Sequence, residues 1–156
     1  MRLSLLAVGT RLPDWVNAGY QDYARRLPRE CALQLKEIGV SPRRRGTPVA
    51  EAIKKEGERM LAAIPPRAWT VALDVGGKPW TTEDLASRLD EWMAAGDDVA
   101  LLVGGPDGLA PACLDAARVR WSLTAMTLPH GLVRVVVAEQ IYRAWSFLRG
   151  HPYHRP

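Results

Sequence analysis

The side chains best suited to acid–base work lie together at one end of the chain. The last six residues read His151-Pro152-Tyr153-His154-Arg155-Pro156, and Glu139 and Arg143 stand a little upstream. A free imidazole titrates at about 6.5, so it can take or give a proton near neutrality. An arginine fork grips carboxylates and phosphates through paired hydrogen bonds. Glu139 and Arg143 are four residues apart, so on a helix they share a face and can pair across it. A structural pairing explains them as well as a chemical one does. Six terminal residues more often fray than act. His130 reads as a helix-start residue, and His151 stays open.

A second group of residues offers main chain rather than side chain. The segments Leu73-Asp74-Val75-Gly76-Gly77, Val103 to Gly108 and Leu123 to Leu128 each join an apolar strand end to small residues. Small residues let a ligand approach the backbone closely. In an open parallel sheet, ligands bind beyond the carboxyl ends of the strands. The glycine run is GGPDG, not G-x-G-x-x-G, and no G-K-[ST] or G-x-S-x-G occurs. A dinucleotide fingerprint, a phosphate loop and a nucleophile elbow are therefore absent. No His/Cys/Asp/Glu cluster has metal spacing, so no metal is expected. A tight strand-to-helix turn explains the glycine run alone. Three such ends point to a pocket for a small, partly apolar ligand.

The elements that must position these groups alternate. Arg2 to Val8 is a buried strand closed by Gly9. Asp14 then caps a helix whose apolar face carries Val16, Gly19, Tyr20, Tyr23 and Leu27. Arg25, Arg26 and Arg29 load its carboxyl end. Ala32 to Ile38 alternates, as an edge strand does. A loop follows from Ser41 to Pro48 with Arg43, Arg44 and Arg45, and it is either solvated or a phosphate contact. A second helix starts at Thr47-Pro48 and ends before Pro65-Pro66. Ala68 to Val75 is a central strand, with Gly76-Gly77 as its turn. Thr81 to Asp84 opens a capped helix that buries Leu85, Leu89 and Trp92 and stops at Gly96. Asp98 to Gly104 is a strand, and Leu109 to Ala117 a helix. A last helix runs from about Gly131 to Leu148. The pattern is α/β with a mainly parallel sheet. The last helix is apolar nearly all round, which no single stripe explains. It is expected to serve both the core and a dimer interface.

The chain has 156 residues, a formal net charge of +4 and a pI of about 9.4. One domain accounts for that length. The basic excess is mostly arginine, which suits a nucleic-acid partner, although a net charge this modest also arises without one. Cys31 and Cys113 make no C-x-x-C, which fits a reducing, cytoplasmic setting. Arg134 interrupts the longest apolar run, so no membrane span is expected. A signal peptide is not expected either, because the run Leu3 to Val8 is short and leads into a charged helix.

Several segments carry a resemblance. VALLVGGPDGL (Val99 to Leu109), WSLTAMTLPHGLVRVVVAEQIYRAW (Trp121 to Trp145) and the ending HPYHRP look like the ribosomal large-subunit pseudouridine N3-methyltransferase family. The stretches Leu5 to Val16 and Leu73 to Trp80 fit as well. That family belongs to the SPOUT class of S-adenosylmethionine-dependent enzymes. The resemblance implies one domain over 1–156, a C-terminal trefoil knot, a homodimer and a functional tail at 151–156. It implies that S-adenosylmethionine sits against Leu73, Gly104 and the run Leu123, Thr124, Ala125, Met126, Thr127 and Leu128. It implies methylation of N3 of a pseudouridine in large-subunit (23S) rRNA, on assembled ribosomes. His154 is then the candidate base, Tyr153 a stacking surface, and Arg143 and Arg155 the groups that steady negative charge. Glu139 either orients Arg143 or serves as the base. A non-catalytic basic α/β RNA-binding module and a flavodoxin-like nucleotide enzyme are the competing readings.

Overall fold

The computed structural model describes residues 1–155. The strands are β1 (Arg2–Val8), β2 (Ala32–Ile38), β3 (Trp69–Pro79), β4 (Val99–Val103) and β5 (Val119–Ser122). The helices are α1 (Asp14–Ala24), α2 (Val49–Ala63), α3 (Thr82–Ala95), α4 (Pro111–Ala116) and α5 (His130–Leu148). The strands form one sheet in the order β2-β1-β4-β3-β5, and every pairing is parallel. Parallel pairing puts all strand ends of one kind on one side of the molecule.

Period-two alternation sorts the strand side chains into two cores. Leu3, Leu5 and Ala7 of β1 join Val99, Leu101 and Val103 of β4 under α1, α3 and α5. Leu6, Val8, Ala100 and Leu102 face the other way, against Met60 of α2 and Ala110 and Cys113 at α4. Both faces of β1 and β4 are covered, which is why β4 reads as an unbroken apolar run and β1 as a mostly apolar one. The alternating β2 lies at the edge, as its pattern predicts. Between α2 and α4 the backbones come so close that a Cβ on Gly57 would lie 2.4 Å from the Cβ of Ala110.

Local details depart from the sequence reading. Asp14 is the first residue of α1, after Pro13, and no side chain caps that end. Proline fixes the entry φ there without a cap. The helix stops at Ala24, so Arg25 and Arg26 lie past it and fork onto Asp22, each at 2.9 Å. Pro48 precedes α2 instead of opening it. Strand β3 does not turn at Gly76-Gly77 but runs on to Pro79. Its register against Trp121 jumps from Leu73 to Lys78, so the residues between bulge out and the strand then rejoins β5. Gly77 permits that return, since a Cβ there would lie 2.7 Å from the Arg120 carbonyl. The helix expected over Leu109 to Ala117 is only Pro111–Ala116. The capping box at Thr81 and the left-handed Gly96 stop of α3 are as expected.

Candidate functional site

The three strand ends singled out above converge on one open cleft of about 230 Å³. That is far more space than a water or a simple ion needs. Leu73, Asp74 and Val75 wall one side, Val103, Gly104, Gly105 and Gly108 the floor, and Leu123, Thr124, Met126, Thr127 and Leu128 the other side. Ala125 is exposed and does not line it. The walls are mostly aliphatic, and main-chain groups add to the polar side chains of Asp74, Thr124, Thr127 and His130. Ala125, Thr127 and Leu128 make no main-chain hydrogen bond among the described residues. The loop is held from within by Ser122 Oγ donating to the Thr124 carbonyl at 3.0 Å and Met126 N donating to Thr124 Oγ1 at 3.1 Å. Free N–H and C=O groups beside an apolar slot are what a flat heterocycle with polar edges requires.

Gly104 has a structural reason as well. A Cβ on it would lie 2.3 Å from the Gly108 carbonyl carbon. The loop folds back on itself there, with Gly108 N donating to the Gly105 carbonyl at 3.0 Å. Thus Gly104 permits the shape of the floor, not only the approach of a ligand.

The second group assembles around Glu139 on α5. Its Oε1 accepts from Arg143 Nε at 2.8 Å and from the Tyr153 hydroxyl at 3.0 Å. The Arg143 guanidinium also lies over the Tyr153 ring, 4.9 Å from its centre. Tyr153 meets Tyr142 edge-on at 4.7 Å. The tail is therefore folded back along its own helix and is not frayed. Burial, then hydrogen bonds to Tyr23 and Glu139, push the Tyr153 phenol above its usual range. It stays neutral and serves as a donor and a stacking face. The hydrogen bond from Arg143 to Glu139 raises the arginine further, so its charge is fixed. His154 packs edge-on against Phe147 at 5.3 Å, with Nε2 3.7 Å from Glu83 Oε1. Neither ring nitrogen has a hydrogen-bond partner, and both are shut off from solvent. Arg155 is exposed, and Pro156 lies outside the described residues.

In one chain these two groups do not meet. Val133 is the last residue of α5 on the cleft. At a helical rise of about 1.5 Å per residue, Glu139 lies about 9 Å further along the axis and Phe147 about 21 Å. Methyl, acyl or phosphoryl transfer needs reacting atoms about 3–3.5 Å apart.

Comparison with known proteins bears on this arrangement. Residues 1–154 match a family model described as "Predicted SPOUT methyltransferase". The chain belongs to the SPOUT methyltransferase family. A relative from Methylococcus capsulatus, named ribosomal RNA large subunit methyltransferase H, is 57% identical over 155 residues, spanning 99% of this chain and 100% of the relative. The fold is also that of a probable methyltransferase from Bordetella pertussis Tohama I, with a TM-score of 0.58 at 17% identity over 92% of this chain and 95% of that one. A putative methyltransferase from Legionella pneumophila, solved with bound SAM, gives a TM-score of 0.50 at 9% identity, covering 92% of this chain and 66% of that one.

Two residues of this SPOUT methyltransferase that read in sequence only as a helix start and as a break in an apolar run lie at the cleft or beneath it. His130 lines it, and burial, then the Arg134 charge, lower its pKa. Arg134 lies beneath, wholly buried. Its guanidinium donates to the Gly9 carbonyl and to Glu37 Oε2, both at 2.8 Å, and so ties α5 to the ends of β1 and β2. The sequence signal was available: a lone arginine inside an otherwise apolar helix is expensive unless paired. No helix of the described residues is long and apolar enough to cross a membrane, and no group of three metal-ligating side chains occurs among them.

Proposed function

We propose that this protein methylates N3 of a pseudouridine in large-subunit rRNA, with S-adenosylmethionine as donor and assembled ribosomes as substrate. The observation that carries the reading is the cleft at three strand ends, with free main-chain groups in the loop after β5, in a chain of the SPOUT family. The 57% relative, named for large-subunit rRNA, supports the substrate. The residues present fit the donor. Leu73, Gly104, Leu123, Thr124, Met126, Thr127 and Leu128 would hold it, with Ala125 giving main chain only. When bound, the donor supplies a sulfonium-activated methyl group, so the transfer needs no metal.

The protein's own task is then to position the base and remove one proton. Tyr153 offers a flat, neutral face on which a splayed base stacks. Arg143, held by Glu139, and Arg155 steady negative charge on the base or its phosphates. His154 takes the N3 proton. Its ring nitrogens are unpaired, so it accepts a proton without first breaking a hydrogen bond. Its enclosure against Phe147 means that the tail must open when substrate or partner arrives.

The separation along α5 requires a second copy of the chain. We infer a homodimer in which one protomer's tail faces its partner's cleft. An exposed apolar surface suits that contact: Trp15 of α1 is 61% exposed, and Leu132, Val135 and Val136 of α5 are only partly covered. A knotted path of the carboxy-terminal segment belongs to the same reading, as does a cytoplasmic setting. Labelled methyl transfer to ribosomes lacking the modification, against free rRNA, is the direct test. Label on N3 of a pseudouridine is expected with ribosomes. Label elsewhere, or none while the donor binds, would overturn the assignment.

A further inference from the structure

The run Arg43-Arg44-Arg45 reads as one basic patch in sequence, yet the structure divides it. Every nitrogen of the Arg43 guanidinium is engaged. Nη1 donates to the Ser41 carbonyl at 2.8 Å and to the Glu56 carboxylate. Nη2 donates to Glu56 Oε1 at 3.2 Å and to Asp107 Oδ2 at 2.9 Å. Nε reaches the same Asp107 oxygen at 3.1 Å. Glu56, on α2, is 2% exposed and also accepts from Ser41 N at 3.0 Å. Asp107 belongs to the glycine loop that floors the cleft. Arg43 is thus a post fixed to α2 on one side and to the cleft floor on the other. It has no donor left for a phosphate.

Arg44 and Arg45 differ. Both are exposed, and their side chains make no hydrogen bond or ion pair among the described residues. A turn holds them out, with Thr47 N donating to the Arg44 carbonyl at 3.1 Å and Gly46 at φ +84°. Their loop follows the carboxyl end of β2, on the same side of the parallel sheet as the cleft. The Arg43 contact is the only side-chain tether on Asp107 among the described residues. The floor loop, rich in glycine, is otherwise held mainly by its own main chain.

We propose that Arg43 is a positioning residue that locks the cleft floor to an arginine loop whose Arg44 and Arg45 receive RNA phosphates, so that phosphate binding and donor binding are coupled. The proposal rests on the function proposed above for the identity of donor and RNA. Coupling of this kind is reciprocal: whatever RNA does to donor affinity, donor does to RNA affinity.

The test uses the full chain. S-adenosylmethionine affinity is measured by calorimetry for Arg43→Gln, Asp107→Asn, the double variant and Arg2→Gln. The last breaks an exposed pair with Asp98 beside the amino end of β4, away from the cleft. Each single change at the tether is expected to weaken the donor about fivefold, and the double no further. Arg2→Gln should leave it unchanged. Ribosome affinity is then measured with and without S-adenosylhomocysteine. The wild type should gain about fivefold, while Arg43→Gln and Arg44→Gln/Arg45→Gln should gain nothing. The latter pair should also flatten the salt dependence of ribosome binding. If Asp107→Asn binds donor like the wild type, or if the gain persists in Arg43→Gln, the proposal is overturned. Should Arg43→Gln misfold around the buried Glu56, Asp107→Asn still decides the donor arm. Donor weakening without any ribosome methylation would remove the proposed function and keep the tether. Normal ribosome methylation with an unchanged donor affinity in the tether variants would do the reverse.

Discussion

The buried ion pair between Arg134 and Glu37 makes an asymmetric prediction. Arg134 is wholly enclosed, while the Glu37 side chain is 38% exposed. Removing the carboxylate, as in Glu37→Ala, strands a largely enclosed cation whose Nε already lacks a partner. Stranding a buried charge costs about 3–5 kcal/mol, and the remaining bond to the Gly9 carbonyl places this case near about 3 kcal/mol. Removing the cation, as in Arg134→Met, leaves a glutamate that water can solvate. Only the Gly9 carbonyl is then orphaned, at about 1–3 kcal/mol. Relief of the guanidinium's desolvation offsets much of that, for a net loss of about 1 kcal/mol. In a domain of this size the melting temperature moves roughly 2–4 °C per kcal/mol. Glu37→Ala should therefore melt about 6–12 °C below the wild type and Arg134→Met about 2–4 °C below. Urea unfolding at one fixed protein concentration checks both, since association shifts apparent stability. If Arg134→Met proves the more destabilised of the two, the electrostatic argument is wrong. The arginine would then act mainly as packing.

Other changes separate the two halves of the site. Gly104→Val should abolish calorimetric donor binding, because the new side chain meets the Gly108 backbone and deforms the floor; unchanged affinity would remove the floor from the site. His154→Ala should keep donor affinity and lose most turnover on ribosomes, and a wild-type rate would assign the base elsewhere. His130 has a lowered pKa, so the unfolded chain binds its proton more readily than the native one. Stability from this residue is present above about pH 6.5 and fades as pH falls toward the lower native value. The His130→Gln variant should show a flatter pH dependence of melting temperature below about pH 6.5; equal slopes would show that the ring is not desolvated.

Much of this fold follows from patterns that act locally. The mostly apolar runs of β1 and β4 announce strands covered on both faces, and the alternation of β2 announces an edge. Thr81 with Asp84, and Gly96, mark the ends of α3 because capping chemistry lies within a few residues of the end it closes. What stayed hidden depends on partners far along the chain. Gly76-Gly77 looked like a turn, since nothing in its neighbourhood reveals that β3 bulges and returns to Trp121. Gly104 was legible as a cleft residue but not as the point where its own loop folds back against Gly108. Arg43 could be read only as a positive charge, because Glu56 and Asp107 lie 13 and 64 residues away. His154 looked like a free base, and only the packed tail shows it closed against Phe147.

The same long helix explains why a second copy is required on the proposed reading. Its amino-terminal turns, with His130 and Val133, form one border of the cleft, and its middle and end gather Glu139, Arg143 and the tail. The helical rise is fixed, so Glu139 stays about 9 Å along the axis from the Val133 border of the cleft within its own protomer. Unfolding the tail would free Tyr153 and His154 but would leave Glu139 and Arg143 where they are. A twofold dimer places one subunit's residues opposite the other's and resolves the geometry without bending the helix. This also gives α5 its composition. Val137, Ala138 and Ile141 are needed for its own core, while Leu132, Val135 and Val136 keep part of their surface uncovered, which suits the proposed dimer. Val135→Asp should therefore break the proposed dimer and stop turnover while sparing calorimetric donor binding. A monomeric variant that still methylates ribosomes would show that one chain suffices.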